Sequence, residues 1–300
     1  MIDVFWVLLA LMGSLLWAIG DVIEKFQLEK VFKDWSLYFT VMYFVWGVFI
    51  VAIFLSTSVV FDPFYIMLAS MSGFIGTFGV MFYLKAVAAE EASRVVPLSY
   101  MTTVFVAILA YIFLREVFTL QKYIGIGFLI LGAVLISYKR VEGRRLPITP
   151  ALSLILVYSL MSGAAETLNK FFLLTYDYWS LLFWGYFGGL VVIVVMFLKK
   201  NVRAKFSKLS SLKRRYWILV SIATTIYFVG DVSWFSALSQ APLSLVAALG
   251  TTEPFFVFLI MLFLSLFVPK ILKEEIAKST VMLKLVSIVL ITYGAYLVAL

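Results

Sequence analysis

Residues 36–55 read SLYFTVMYFVWGVFIVAIFL, a stretch of 20 residues without a charged side chain. A helix needs about 20 mostly apolar residues to cross the hydrocarbon core of a bilayer. The rest of the chain is similar: 64% of its 300 residues are hydrophobic and 13% are charged, whereas soluble proteins have about 45–50% apolar and about 25% charged residues. A water-soluble fold cannot bury this much apolar surface, so the composition indicates a membrane protein.

The missing residue types exclude several kinds of chemistry. The chain contains no cysteine and no histidine, which excludes a disulfide, a thiol nucleophile, a Cys/His zinc site and an imidazole base. We expect no catalytic residue, no cofactor and no metal. The net charge of +8 is better explained by membrane topology than by nucleic-acid binding. No basic residue precedes the first apolar run, which favours a transmembrane helix over a cleaved signal peptide.

Ten apolar stretches lie between charge clusters and turn residues, and each is long enough to be a membrane span. The connections are short, apart from the basic segment 199–215 and the segment 270–279. We therefore predict an all-α polytopic membrane protein with ten transmembrane helices and no soluble domain. The predicted spans are 3–24, 36–55, 64–88, 94–114, 121–138, 151–174, 179–198, 216–237, 243–267 and 280–299.

Lysine and arginine are distributed unequally over the connections between these spans. The odd-numbered connections hold most of them, whereas the even-numbered connections hold only Arg115 and Lys122. Because cytoplasmic loops carry the excess of lysine and arginine, we predict that the odd connections are cytoplasmic and that both termini lie outside. The protein is expected in the cytoplasmic (cell) membrane, with segment 199–215 against anionic lipid.

The second half of the chain repeats the first, with matched residues in the same order along five spans. We predict two five-helix repeats, residues 1–145 and 146–300. Because five is odd, the second repeat enters the membrane upside down, and such inverted repeats are a transporter architecture with a site near the midplane. The matches include Lys25-Phe26 with Lys170-Phe171 (170 − 25 = 145), Phe105-Val106 with Phe256-Val257 (256 − 105 = 151) and Gly132-Ala133 with Gly294-Ala295 (294 − 132 = 162).

Three segments resemble a known family. Residues 17–25, WAIGDVIEK, are similar to the first helix of EamA-type members of the drug/metabolite transporter (DMT) superfamily. Residues 249–255, LGTTEPF, resemble the Glu-Pro step of that family, and residues 114–116, LRE, followed by Gly125 and Gly132, resemble its fourth-to-fifth-helix segment. The resemblance implies ten helices and transport of a small organic solute, often outward.

Glu253 is the predicted coupling residue. It lies nine residues beyond Ser244, about 13 Å along the ninth span and close to the middle of the bilayer, where an ionisable group is costly. Pro254 cannot donate a hydrogen bond to the carbonyl of Gly250, so we predict a kink there. The first repeat departs from this pattern and has Thr102 instead. A desolvated carboxyl group suits binding of a proton or Na⁺, and a protonated structural glutamate is the alternative.

Asp231 is the predicted centre of the substrate site. It shares one helical face with Tyr227 at i−4 and Trp234 at i+3. An anion between aromatic rings suits an organic cation or an amphipathic zwitterion. In the first repeat Val80 corresponds to Asp231 and Tyr83 corresponds to Trp234, so the second half supplies the two acids. We predict that these aromatic residues, Tyr83 included, bind the solute with Asp231. An aspartate bonded to a neighbouring helix is the alternative.

Two acid–lysine pairs occupy equivalent positions in the repeats. Asp21/Lys25 and Glu166/Lys170 are each spaced i,i+4, so each pair is expected to form a salt bridge near a helix end. If the repeats are inverted, the pairs lie at opposite rims of the membrane, which also suits a gate. Asp21 and Glu166 join the candidate substrate-binding residues, together with Tyr100, Asn169 and Ser162.

The resulting hypothesis is a non-enzymatic secondary active transporter that exports a small organic metabolite, an amino acid or a similar amphipathic or cationic solute, by alternating access. The cavity is predicted between spans one, three, four, six, eight and nine. One alternative is a lipid-linked or multidrug substrate. Another is an intramembrane aspartyl protease, which requires Asp231 and Asp177 to face each other, although Asp177 falls in a loop. The expected partners are the solute, membrane lipid, and protons or Na⁺, for a monomer or homodimer.

Overall fold

The computed structural model describes residues 5–32, 35–89, 99, 101–137, 150–198, 200–206, 214–267 and 278–299. All regular secondary structure within these residues is helical. Short π-helical segments, Leu28–Phe32 and Ala110–Leu114, follow the first and fourth helices. The α-helices are α1 (Phe5–Gln27), α2 (Trp35–Ser56), α3 (Pro63–Ala89), α4 (Met101–Leu109), α5 (Leu120–Ser137), α6 (Pro150–Leu173), α7 (Tyr178–Phe197), α8 (Lys200–Phe206), α9 (Arg214–Gln240), α10 (Leu243–Gly250), α11 (Glu253–Phe267) and α12 (Lys278–Ala299).

Helical structure is present at each of the ten predicted spans, although residues 94–98 of the fourth lie outside the described residues. In the described part of the chain, six helical stretches are long and apolar enough to cross a membrane, and they lie in α1, α2, α3, α7, α9 and α10–α11. The predicted all-helical, polytopic class is therefore confirmed, while the arrangement as ten spans in two inverted repeats stays a prediction. Three shorter apolar helices are Met101–Leu114, Leu120–Gly132 and Val286–Val298.

The ninth predicted span is divided into two helices. α10 ends at Gly250 and α11 begins at Glu253. The hydroxyls of the intervening Thr251 and Thr252 each donate to a carbonyl oxygen of α10 at 2.7 Å. Because Pro254 lacks an N–H and its ring clashes with the carbonyl four residues earlier, a regular helix does not continue through it. The predicted interruption is present, and it places Glu253 at the start of a helix.

The helices pack in pairs that relate the two halves of the chain. The closest-packed pairs are α1 with α9, α5 with α12, α3 with α6 and α3 with α7. Each predicted span of the first half has a counterpart in the second half. If every span is replaced by its counterpart, the α1–α9 contact becomes the α3–α6 contact, and the α5–α12 contact is unchanged. The contact of α4 with α6 likewise corresponds to the contact of α1 with α10 and α11. The carboxylates of the candidate site lie along the α1–α9 contact and the helices beside it.

The outward faces of these helices are apolar. Leu55 of α2 is 77% exposed and Val194 of α7 is 62% exposed. Large contiguous apolar surfaces are rare on soluble monomers and mark contact with a membrane or a partner. The polar residues of α1 and α9 described below are turned towards other helices instead.

Candidate functional site

Asp231 lies in α9 and is bonded to two other helices. The Nε1 of Trp17 in α1 donates to Oδ1 at 2.8 Å, and the hydroxyl of Tyr186 in α7 donates to Oδ2 at 2.8 Å. These hydrogen bonds orient the carboxylate from both sides. Asp231 is nevertheless only half-buried, so part of the residue remains open to a small molecule.

Trp234 and Trp17 form an aromatic wall beside Asp231. Their ring centroids are 4.8 Å apart with an interplanar angle of 43°. The Nε1 of Trp234 points to Oε2 of Glu166 in α6, at 3.4 Å. The absence of a side chain at Gly250 makes room for Trp234, because a Cβ there would lie 2.7 Å from the indole ring. The tryptophan pair thus connects two carboxylates on different helices.

Asp21 of α1 and Glu253 of α11 form a carboxyl–carboxyl pair. Their side chains are hydrogen-bonded to each other, and the hydroxyl of Tyr227 donates to Oδ1 of Asp21 at 2.7 Å. Ionised carboxylates only accept hydrogen bonds, so a bond between two of them requires one proton. The structure therefore brings the predicted coupling residue against an acid from the first half of the chain.

Glu24 belongs to the same network, although it is not among the predicted site residues. Its Oε2 accepts a hydrogen bond from the hydroxyl of Tyr38 at 3.1 Å, and the hydroxyl of Tyr227 lies 3.5 Å from the same oxygen. The spacing of Asp21 and Glu24, i and i+3, places both acids on one face of α1. That spacing is the signal in the sequence, and the expected Asp21/Lys25 pair obscured it.

Tyr83 lies close to this network, and its predicted role in binding the solute with Asp231 stays a prediction. Its ring centroid is 5.2 Å from that of Tyr158 in α6, and its hydroxyl interacts electrostatically with Asp21. Ser162 is hydrogen-bonded to Tyr158. The remaining predicted tyrosine, Tyr100, lies outside the described residues.

Asn169 is 8% exposed and links two helices. Its Oδ1 accepts a hydrogen bond from the hydroxyl of Ser72 in α3 at 2.5 Å, and its side chain also bonds to Glu166. Asn169 therefore holds Glu166 in position at the contact of α3 with α6.

Lys170 does not form the expected salt bridge with Glu166. It is 9% exposed, and its Nζ donates to the carbonyl oxygens of Leu238 at 2.7 Å and Ala241 at 2.8 Å. These oxygens lie at the C-terminal end of α9, where carbonyls lack helical partners and the helix dipole favours a cation. The predicted salt bridge is wrong because these acceptors, more than 60 residues away in sequence, take the lysine instead.

The second expected salt bridge, between Asp21 and Lys25, is also wrong. Lys25 is exposed, and Asp21 is engaged by Tyr227 and Glu253. The two equivalent lysines thus differ, since Lys170 is bonded across a helix contact and Lys25 is open to solvent or lipid headgroups.

Glu116 holds the other side of the turn that Lys170 binds. Its Oε1 accepts from the backbone N–H of Leu243 at 2.6 Å, and its Oε2 accepts from the N–H and the hydroxyl of Ser244 at 2.9 and 2.7 Å. The first N–H groups of a helix have no helical partners, and a carboxylate there also complements the dipole. Lys170 and Glu116 together tie the α9–α10 turn to other parts of the chain.

Comparison with known proteins finds one family match. Residues 4–138 match the model of the EamA-like transporter family, which is part of the DMT superfamily. The resemblance based on residues 17–25 and 114–116 is thereby confirmed over the first predicted repeat.

The chain also resembles solved structures. Among 27 matching chains is a crystal structure whose title names no function. Its TM-score to this chain is 0.72, and 13% of the aligned residues are identical. The match covers 97% of this chain and 94% of that chain. At this identity the likeness shows the fold alone. No curated protein sequence matches the chain. The apolar helices and the family match together support a multi-pass membrane protein.

The candidate site is acidic. In the described part of the chain no lysine or arginine bonds to its carboxylates, whose partners are tyrosine, tryptophan, asparagine and other carboxyl side chains. The described residues also contain no group of three acids arranged to hold a metal ion. Such a site suits an organic cation or protons. The five carboxylates are Asp21, Glu24, Glu166, Asp231 and Glu253, all half-buried.

Asp177, the second acid of the protease alternative, has a local role. Its Oδ1 accepts from the backbone N–H of Trp179 at 2.9 Å and of Ser180 at 3.0 Å, which caps α7. Asp177 and Asp231 are not bonded to each other. They do not form the facing pair of acids on which an aspartyl protease depends.

Proposed function

We propose that this protein is a secondary active transporter that exports a small organic solute with a cationic group, such as an amino acid or an amine, across the cytoplasmic membrane by alternating access. The observation that carries the proposal is the acidic site: five half-buried carboxylates and their aromatic donors, with no basic partner in the described residues. An ionised carboxylate inside the membrane costs free energy unless it is paired, and such a residue therefore indicates a functional site. A cationic solute supplies that partner.

Asp231 and the tryptophan wall are the proposed contact for the positive group of the solute. Asp231 supplies the charge, and Trp234 with Trp17 supplies aromatic faces for a cation–π contact. Tyr227 and Tyr83 extend the aromatic lining towards Asp21, and Glu166 with Asn169 borders it on α6. Tyr100 is retained as a candidate from the sequence alone.

Glu253 is the proposed coupling group for a proton or Na⁺. Its side chain is hydrogen-bonded to that of Asp21, which requires a proton between the two carboxyl groups. It also lies where the ninth predicted span is interrupted. Desolvation favours the neutral form of a carboxyl group. A cationic solute that approaches this pair favours release of the shared proton, which couples the two movements.

The alternation is proposed to occur between residues 1–145 and 146–300, as two inverted repeats with both termini outside. This arrangement is supported by the equivalence of two helix contacts, because α1–α9 corresponds to α3–α6 when the two halves of the chain are interchanged. Lys170 and Lys25 are proposed as equivalent gate latches. Lys170 is engaged with the end of α9 while Lys25 is exposed, as expected if one side is closed and the other is not.

The first prediction concerns solute binding by Asp231. Purified protein is screened by thermal shift against amino acids, amines, organic cations and sugars, and a ligand at 100 times its Kd is expected to stabilise it by about 2.7 kcal/mol. Asp231→Asn keeps the shape and removes the charge, so we expect its affinity for the stabilising cation to fall by about tenfold or more.

The matched control is Asp177→Asn, the same change at a helix cap; its ligand shift should equal that of the wild type. Equal affinities of Asp231→Asn and wild type for every stabilising ligand contradict the binding role. Stabilisation by sugars alone contradicts the proposed solute class.

A further inference from the structure

Five side chains form one continuous hydrogen-bond network across three helix contacts. It runs from Glu253 to Asp21, from Asp21 to Tyr227, from Tyr227 to Glu24 and from Glu24 to Tyr38. We call these residues the carboxyl–tyrosine relay. Each member is a carboxyl or phenol group, so each can accept and donate a proton. The network joins α11 to the first turn of α2.

The relay has a direction along α1. Glu24 lies three residues beyond Asp21, about 4.5 Å nearer the C-terminal end of the helix, and the exposed Lys25 follows it. Tyr38 is 1% exposed and donates to Glu24, so it fixes the position of this carboxyl group. The charge pattern of the sequence predicts that this end of α1 faces the cytoplasm.

The surroundings of the relay contain no described basic partner. The titratable groups around it lie on α1 itself and on five other helices. They are Tyr38 of α2, Tyr83 of α3, Tyr158 and Glu166 of α6, Tyr227 and Asp231 of α9, and Glu253 of α11, with Asp21, Glu24 and the exposed Lys25 on α1 itself. Among the described side chains, a proton that leaves the Asp21–Glu253 pair therefore has only tyrosine hydroxyls and carboxyl groups as hydrogen-bond partners.

We propose that the carboxyl–tyrosine relay is the path by which the proton shared by Glu253 and Asp21 exchanges with the cytoplasmic side, with Glu24 as its terminal acceptor. In this step the hydroxyl of Tyr227 turns from Asp21 to Glu24. Asp21 then transfers its proton to the oxygen of Tyr227 while Tyr227 passes its own hydroxyl proton to Glu24. Asp21 becomes a carboxylate, Glu24 becomes a neutral acid, and Tyr227 is neutral before and after. Glu24 then releases the proton to water. This inference rests on the proposed function, in particular on proton coupling at Glu253.

The test uses Glu24→Gln, which keeps a hydrogen-bond acceptor for Tyr38 but cannot carry the proton. Full-length protein in proteoliposomes is assayed for solute counterflow, which needs no net proton movement, and for uptake driven by a pH gradient. The probe is the cation that gives the largest thermal shift. We expect Glu24→Gln to retain counterflow and to lose gradient-driven transport by about tenfold or more. Glu24→Asp, which keeps a titratable group, should recover part of it.

Two further variants make the outcomes distinct. Tyr38→Phe leaves Glu24 titratable but removes its donor, so we expect a shifted pH profile of gradient-driven transport with normal counterflow; this variant also tests the relay if Glu24→Gln does not fold. Glu253→Gln should abolish the pH dependence altogether.

Absence of counterflow in the wild type overturns the proposed function and the relay with it. Counterflow without a pH-gradient effect in the wild type overturns proton coupling and the relay. Wild-type rates of gradient-driven transport in Glu24→Gln, with pH dependence lost in Glu253→Gln, overturn the relay alone.

Discussion

Lys170 and Lys25 show how much the role of one side chain depends on its partners. They match in the sequence repeat, yet Lys170 donates to two carbonyl oxygens at the C-terminal end of α9 in a buried contact, whereas Lys25 is exposed. Removal of a buried donor leaves its acceptors without a partner, which costs the desolvation of those groups. Removal of an exposed charge has little effect on stability.

We therefore predict that Lys170→Met lowers the free energy of unfolding by about 1–3 kcal/mol, while Lys25→Met changes it by less than about 0.5 kcal/mol. The measurement is thermal unfolding of the purified variants in one detergent. If Lys25 binds the equivalent end of α3 in the opposite state, Lys25→Met also slows transport at an unchanged unfolding midpoint. Equal destabilisation by the two substitutions contradicts the different roles of the lysines.

The residues of the candidate site illustrate what helical spacing alone can predict. Tyr227, Asp231 and Trp234 share one face by their i−4 and i+3 spacing, and the structure places all three towards α1 or α6. The carbonyl partners of Lys170 lie 68 and 71 residues away in sequence. Spacing within a helix shows which side chains are neighbours on that helix, but it contains no information about acceptors on another one.

At the scale of elements, backbone contact between helices depends on glycine. A Cβ at Gly73 of α3 would overlap the carbonyl oxygen of Gly185 in α7, so any larger residue must push the helices apart. Gly127 of α5 has nothing within 4 Å of such a Cβ and is exposed. The two positions therefore form a matched pair for the same substitution.

Gly73→Ala is expected to destabilise the protein by about 1–3 kcal/mol, because it overpacks the α3–α7 contact. Gly127→Ala is expected to be neutral or stabilising by up to about 1 kcal/mol, because alanine loses less entropy than glycine in a helix. Thermal unfolding in detergent measures both changes. A Gly73→Ala protein as stable as the wild type would contradict the close approach of α3 and α7.

The helices themselves were predictable because apolar length is a local property, and so was the interruption before Pro254, which follows from the missing N–H of proline. The π-helical segment Ala110–Leu114 was not predicted. Its sequence, AYIFL, contains neither proline nor glycine, and the following Arg115 has a positive φ of 58°. The adjacent Glu116 accepts tertiary hydrogen bonds from the N-terminus of α10, and no local pattern of the sequence encodes such contacts.

For the whole molecule, the equivalent helix contacts of the two halves raise the question of whether the halves have opposite orientations in the membrane, and this can be tested. The connection between the second and third spans of the first repeat contains the exposed Ser58. The corresponding connection of the second repeat is the basic segment 199–215, which contains Ser210. Inverted repeats place these two connections on opposite sides of the membrane, whereas parallel repeats place them on the same side.

Because the natural sequence contains no cysteine, Ser58→Cys and Ser210→Cys each introduce the single reactive thiol of the protein. We predict that a membrane-impermeant maleimide labels Ser58→Cys in intact cells and labels Ser210→Cys only after permeabilisation, since the lysines and arginines around Ser210 favour the cytoplasmic side. Unmodified protein treated in the same way is the control for background labelling. The reverse labelling pattern would preserve the inversion and change the predicted orientation of the termini. Equal accessibility of the two thiols in intact cells would instead mean that both halves have the same orientation in the membrane. A site that alternates between two inverted halves would then have no structural basis.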